Sequence, residues 1–221
     1  MSETSYSLSD SKGLPLDKKL DFIFNRKKKG FYIELGAFDG ITQSNTCFFE
    51  LNRDWKGILI EPSKSAFELC CKNRPNSIVV NCCCVSNAFN SNTLLGDFNS
   101  TLMSSVNGAR LKSNDLIEVK AKTLEKILDE NISNDIEIDL LSLDTEGYEL
   151  HILQGLNLDK YRPRYLLIEI YATDYDKILS FLQCKNYILH SNFTNYNKIN
   201  SPIWDGTHND FLFYDNSKIL L

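Results

Sequence analysis

The residues of this chain best suited to chemistry are carboxylates that stand beside glycines at the ends of apolar runs. The first group is Glu34-Leu35-Gly36-Ala37-Phe38-Asp39-Gly40. Gly36 and Gly40 let a backbone turn tightly and approach a ligand, and Glu34, two residues before the first glycine, can accept hydrogen bonds from a cationic group. A dinucleotide loop wants G-x-G-x-x-G, whose third glycine packs a helix beneath a pyrophosphate. Here the glycines lie four apart and Asp39 sits between them, where it would repel a pyrophosphate. A ligand with an ammonium group fits better, which favours S-adenosylmethionine over NAD. Glu61, 21 residues after Gly40 and followed by Pro62, has the spacing of an acid that accepts both hydroxyls of a ribose. The Cys82-Cys83-Cys84-Val85 run, Cys83 in particular, offers small polarisable side chains as a wall for adenine.

A second acidic group is Leu141-Ser142-Leu143-Asp144-Thr145-Glu146-Gly147-Tyr148-Glu149. Asp144 is expected beside the reactive end of the cofactor. Glu146 and Glu149 stand at the start of a helix, where anions gain about 0.3–1 kcal/mol. For Glu149 that capping role is the expected one.

These residues need a scaffold, and the pattern of the chain supplies one. Residues 31–35, 57–61 and 77–81 read as strands, with helices over 45–52 and 64–73 between them. This βαβαβ alternation demands a parallel sheet with helices on its faces, and right-handed crossovers make it one doubly wound half. Further strands are expected at 116–120, 138–143 and 165–170, with helices over 123–130, capped by Thr123, 148–154 and 174–182. Residues 187–190 and 211–214 follow as two strands without a helix between them, an antiparallel closing pair. In open α/β sheets ligands bind at the carboxyl ends of strands, where the acids above fall in order. Ahead of the sheet, residues 1–15 read as a flexible arm and 16–28 as a helix whose terminal Arg26-Lys27-Lys28-Lys29 complements the helix dipole. Residues 16–221 form a single domain, in which 87–120 is an insertion or lid; its polar stretch 87–114 is a long loop or a hairpin.

With 24 Lys+Arg against 29 Asp+Glu, the net charge of −5 excludes a global positive field that would hold nucleic acid or an anionic membrane. No run reaches the roughly 20 apolar residues of a membrane span, and the polar start of the chain lacks a signal-peptide core. The chain is expected to be cytoplasmic. Its seven cysteines, five of them in adjacent clusters, are expected to be reduced structural thiols rather than disulfides or a zinc site. No feature specifies an oligomeric state.

Glu34 to Gly40, Ser44-Asn45-Thr46 with Phe49-Glu50, Trp55-Lys56-Gly57 before Ile60-Glu61-Pro62, and Leu143 to Glu149 with Tyr161-Arg162-Pro163 and Ile168-Glu169 together resemble the FkbM family of S-adenosylmethionine-dependent methyltransferases. The likeness runs from Phe31 to Ile170, with an echo at His208-Asn209-Asp210-Phe211. It implies a class I methyltransferase fold, Rossmann-like, with a mostly parallel seven-stranded sheet, an antiparallel last strand and helices on both faces. It also implies O-methylation of a sugar, glycan or related small hydroxylated metabolite. On that resemblance Glu34, Gly36 and Gly40 line the methionine part of the cofactor, with Ala37 and Asp39 in the same loop, Glu61 its ribose, and Ser44 and Asn45 its carboxylate side.

Methyl transfer is an in-line displacement, and orientation alone contributes ~7–11 kcal/mol. A sugar hydroxyl needs a base within roughly 2.6–3.2 Å. Asp144 is the first candidate and His208 the second, with Glu146 nearby. Tyr148, Tyr171 and Trp204 offer ring faces to a sugar, and Glu169 a polar contact. A metal-free site is the preferred reading; the alternative is a divalent cation held by Asp144, Glu169 and Asp210, with Glu146 or His208 as further ligands. Two other functions fit the same residues less well: an NAD(P)-dependent Rossmann oxidoreductase, and a non-catalytic module that binds S-adenosylmethionine. The absence of an Asn/Asp-Pro-Pro-Tyr segment argues against a nucleic-acid base as substrate.

Overall fold

Alternate apolar residues on short strands build a sheet whose two faces are both covered. A computed structural model describes residues 3–99, 102–107, 110, 112 and 114–218. Along the chain lie α1 (Leu16–Ile23), β1 (Phe31–Leu35), α2 (Cys47–Arg53), β2 (Lys56–Ile60), α3 (Lys64–Asn73), β3 (Ile78–Val80), β4 (Cys83–Val85), β5 (Thr93–Gly96), β6 (Ile117–Thr123) and α4 (Leu124–Asn131). The second half holds β7 (Leu140–Leu143), α5 (Glu149–Leu153), β8 (Tyr165–Tyr171), α6 (Tyr175–Cys184), β9 (Tyr187–Asn192) and β10 (His208–Asp215).

Seven of these strands form one sheet in the order β3-β2-β1-β7-β8-β10-β9. The pairs from β3 to β8 are parallel, and β10 runs antiparallel to both neighbours. The period of two sends Tyr32, Leu59, Leu140, Leu167 and Leu212 to one face, against Leu16 and Leu20 of α1 and Phe48 and Phe49 of α2. Ile33, Leu35, Ile58, Leu141 and Ile168 face the other way, against α4, α5 and α6. The fold is the mixed α/β class expected, a class I Rossmann-like sheet. The winding reverses between β1 and β7, so their carboxyl ends frame the crevice where such sheets bind ligands.

Three local differences from the sequence reading have physical causes. Residues 83–85, to which the sequence reading assigns no strand, are β4, parallel to β6, which in turn pairs antiparallel with β5. The 87–120 insertion therefore contains a hairpin, with Leu94, Phe98, Val106 and Ala121 packed on Cys83 and Val85. Second, α1 stops at Ile23, because Asn25 and Arg26 turn to φ 48° and 55°. The basic run lies beyond the helix, and Lys27 Nζ donates to Asp139 Oδ1 at 2.6 Å. Third, the described part of the 1–15 arm is tied down. The buried Asp17 accepts from Ser5 Oγ (2.7 Å) and Tyr6 N (2.8 Å), and Ser11 N donates to Thr194 O (2.8 Å).

Candidate active site

A cavity of about 310 Å³ opens at the carboxyl ends of β1, β2, β7 and β8. Gly36 and Leu35 from β1, Glu61 and Pro62 after β2, Asp144 to Glu146 after β7, and Glu169 of β8 all line it. Gly36 has φ +77°, and a Cβ there would meet the Asp144 carbonyl oxygen at 1.9 Å. No other residue lets the β1 and β7 loops approach so closely.

Glu61 marks one end of the cavity. Its Oε2 accepts from Phe38 N at 2.8 Å and its Oε1 from Ser63 N at 2.8 Å, leaving each oxygen able to accept once more. Burial pushes this carboxyl up to about 7, partly opposed by those two hydrogen bonds. A ribose diol donates to both oxygens and favours the ionised form, so this acid fits the sugar of S-adenosylmethionine. The wall beyond it is apolar, with Cys83, Phe98, Val106 and Ile152, and suits a flat adenine ring. The thiols of Cys83 and Cys70, on which the Glu61 charge acts, are pushed up to about 12 by burial and stay neutral. If the bound diol lowers the pKa of Glu61, affinity is greatest above pH 7 and falls as the pH drops below it. A calorimetric titration should give a Kd for S-adenosylmethionine about tenfold weaker at pH 5.5 than at pH 8. In Glu61→Gln the affinity should be weaker and its pH dependence flat; a sloping profile in that variant would assign the effect elsewhere.

Glu34 is placed differently from the expectation. It shares a face with Tyr32, so its carboxylate points toward α2 and does not line the cavity. Its oxygens accept from Ser44 Oγ (2.9 Å), Asn45 N (2.8 Å) and Thr46 Oγ1 (2.6 Å). Ser44 nonetheless touches the cavity, whereas Asn45 turns its amide to Ser142 Oγ at 3.1 Å. Asp39 also faces away: Thr42 N, Ile41 N and Thr42 Oγ1 donate to it and, against the cost of burial, hold it below the usual carboxylate range. Ala37 is buried in the α1/α2 core, and Gly40 packs against Arg74, so neither lines the cavity. Arg74 is fully buried. It donates to Glu50 Oε2 (2.7 Å) and to the Gly40 carbonyl (2.8 Å), with Glu34 at 3.9 Å. It had no role in the sequence reading, because its position in the sequence, at the end of α3, reads as a helix-terminal surface cation.

The other end of the cavity is acidic. Burial and the neighbouring carboxylates of Glu146, Asp210 and Glu149 push the Asp144 carboxyl well above its ordinary value. Burial and Asp144 do the same to Glu169. Glu169 Oε1 lies 3.1 Å from His208 Nε2, and His208 Nδ1 lies 2.8 Å from Thr207 Oγ1. Burial lowers the His208 pKa, against the pull of Asp205 and Glu146. Glu146 adopts φ 56°, an uncommon conformation for a residue with a side chain. Its Oε2 accepts from Tyr171 Oη at 2.6 Å and Arg110 Nε at 3.1 Å. Glu149 closes the loop before α5, and not the helix end as expected, by accepting from Thr145 N (2.8 Å) and Gly147 N (3.2 Å).

Asp144, Glu146, Glu169, His208 and Tyr148 thus meet in the cavity. Tyr171 is joined to them through Glu146. Asp210 pairs across β10 and β8 with Glu169 but does not line the cavity, and Thr194 hydrogen-bonds its carboxyl. Trp204 lies in a neighbouring apolar recess with Tyr175 and Phe211, and His208 borders both. Phe38, Leu8 and the residues contributed by the insertion, Phe98, Leu102, Met103 and Val106, were missed. For the insertion a signal existed: apolar side chains recurring within an otherwise polar segment.

A methyltransferase FkbM domain model matches residues 34–189 of the chain. Among solved structures, the chain is similar to M. capricolum TrmK in complex with S-adenosylhomocysteine, with a TM-score of 0.50, 11% identity, 90% of this chain covered and 68% of that one. It is likewise similar to the Methanococcus jannaschii fibrillarin pre-rRNA processing protein, with a TM-score of 0.50, 12% identity, 86% of this chain covered and 68% of that one. At these identities the two structures show the shared fold. No curated protein sequence matches the chain.

Proposed function

This chain belongs to the FkbM family of S-adenosylmethionine-dependent methyltransferases, and from that premise we propose that it methylates a hydroxyl of a sugar, a glycan or a related small hydroxylated metabolite. One observation carries the reading: a single cavity runs from a diol-accepting carboxylate, Glu61, past an apolar wall to a cluster of carboxylates and a histidine. When bound, S-adenosylmethionine supplies an electrophilic methyl group on a sulfonium.

The residues of the chain then have distinct tasks. Glu61, Gly36, Ser44, Pro62 and Cys83 hold the cofactor, Glu61 through the ribose. Asp144, Glu169 and Glu146 accept hydrogen bonds from the acceptor and orient it, with Tyr148 as a ring face. The His208–Glu169 pair, whose Nε2 and Oε1 lie 3.1 Å apart, takes the hydroxyl proton. Asp144 is the less suited of the two candidate bases, because its surroundings favour the protonated acid. Glu34, Ala37, Asp39, Gly40 and Asn45 support the loop without touching the ligand. Tyr171 and Trp204 serve from beyond the first layer of contacts.

Carboxylates at the acceptor end favour a neutral polyol over a phosphate backbone, which would be repelled. On this reading the acceptor is not a nucleic acid. All seven cysteines are free thiols, which suits a reducing, cytoplasmic setting. Among the described residues no helix is long and apolar enough to cross a membrane. Formation of S-adenosylhomocysteine with a panel of monosaccharides, phenols, primary amines and oligonucleotides tests the acceptor class. Turnover should be confined to the hydroxyl compounds, and turnover confined to amines or oligonucleotides would refute it.

A further inference from the structure

We propose that Asp144, Glu146 and Glu169 bind one hard divalent cation, Mg2+ or Mn2+, at the acceptor end of the cavity. One oxygen from each residue lies within 4.8 Å of the others. Oxygens on opposite sides of a magnesium ion are about 4.2 Å apart. Adjacent oxygens of that shell are about 3 Å apart, so the three side chains share it after closing by up to about 2 Å.

A separate observation points to a missing ligand. Glu169 is only 7% exposed, and its Oε2 has no hydrogen-bond partner among the described residues. A buried carboxylate oxygen without a donor is costly, and a cation in the cavity that Glu169 lines would satisfy it. No Lys or Arg among the described residues forms an ion pair with Asp144 or Glu169. The nearby guanidinium of Arg110 is directed at Glu146 Oε2 (3.1 Å) and Asp205 Oδ2 (2.9 Å).

The surroundings also resemble those of a built site. Ligating carboxylates are normally held by outer hydrogen bonds that fix their orientation. His208 Nε2 holds Glu169 at 3.1 Å, and Tyr171 Oη holds Glu146 at 2.6 Å. Three carboxylates and no thiolate select a hard cation over zinc. All three residues are among those of the metal alternative raised on sequence, and Asp210, also raised there, does not line the cavity. Glu146 reaches the site through its left-handed backbone, which sequence spacing does not reveal.

Three protein oxygens leave positions open for water and for an acceptor oxygen. A hydroxyl coordinated there is acidified. The catalytic use of the ion rests on the methyl-transfer reading; its binding does not. In that use the acceptor oxygen forms the new O–CH3 bond as the methyl–sulfur bond breaks. The bonding pair stays on sulfur, and the hydroxyl proton passes to the Glu169–His208 pair.

Manganese binding to the full chain, followed by the loss of the free-ion paramagnetic resonance signal, tests the site directly. The expected result is one Mn2+ per chain, displaced by excess Mg2+, with affinity lowered about tenfold or more in both Glu169→Gln and Glu146→Gln. Glu146 lies in a loop, so its variant remains informative if Glu169→Gln fails to fold. Absence of Mn2+ binding by the wild-type protein, or wild-type affinity in a folded variant, would overturn the proposal. S-adenosylmethionine binding measured in parallel with EDTA separates the two readings. Retained cofactor binding without Mn2+ binding rejects the cation site alone, whereas Mn2+ binding without cofactor binding supports the site and rejects the methyl-transfer reading.

Discussion

Replacing His208 with Gln should lower kcat about 10²- to 10³-fold while leaving the affinity for S-adenosylmethionine at its wild-type value. The size of the effect is that of a positioned proton acceptor. The split between kcat and cofactor affinity follows from the layout of the cavity. His208 sits in the acidic cluster, 3.1 Å from Glu169, whereas the ribose carboxylate Glu61 lies after β2, on the far side of β1. Glutamine keeps a hydrogen-bonding group near Glu169 but cannot take up the proton. Rapid-quench turnover together with calorimetry measures both quantities. An unchanged kcat would remove His208 from the reaction, and a loss confined to cofactor affinity would reassign it to binding.

The largest effect on stability is expected from Arg74→Met. Removing one partner of a buried ion pair strands the other, at about 3–5 kcal/mol. In this protein two acids are stranded, Glu50 at 2.7 Å and Glu34 at 3.9 Å, in a region where Tyr32 Oη also hydrogen-bonds Glu50. Burial opposes the ionisation of Glu50, and the Arg74 charge holds it below the usual carboxylate range. The same guanidinium ties α3 to the Gly40 carbonyl, so the cofactor loop loosens with it. Urea unfolding should show the loss, and adding Glu50→Gln to the variant should recover part of it. A change smaller than about 1 kcal/mol would mean that the network contributes little.

Much of this architecture was legible in the order of residues. Runs such as residues 57–60 and 165–168 are apolar without alternation because both faces of a parallel strand are buried, and that pattern survives any choice of neighbours. Thr123 could be read as a cap because its hydroxyl acts locally, accepting from Lys126 N at 3.2 Å. Glu61 and Asp144 were legible for a related reason: each follows a strand, and strand ends define the crevice. What was not legible depends on which way a side chain turns after its strand ends. Glu34 looked like a ligand contact, but the period of two commits it to the α2 face, where the Ser44-Asn45-Thr46 turn receives it. Arg74 and Glu50 are 24 residues apart and meet only because α3 and α2 pack on the same face of the sheet. The basic run after α1 was assigned to a helix end, whereas left-handed turns at Asn25 and Arg26 end the helix before it.

The most direct test of methyl transfer to a hydroxyl follows the transferred carbon itself. The full chain is incubated with S-adenosylmethionine labelled with carbon-13 on the methyl group and with a sugar acceptor, and the product is examined by NMR. The expected result is one O-methyl ether carbon formed for each S-adenosylhomocysteine released. Label found on nitrogen, or a cofactor that binds and is never consumed across the acceptor panel, would contradict it.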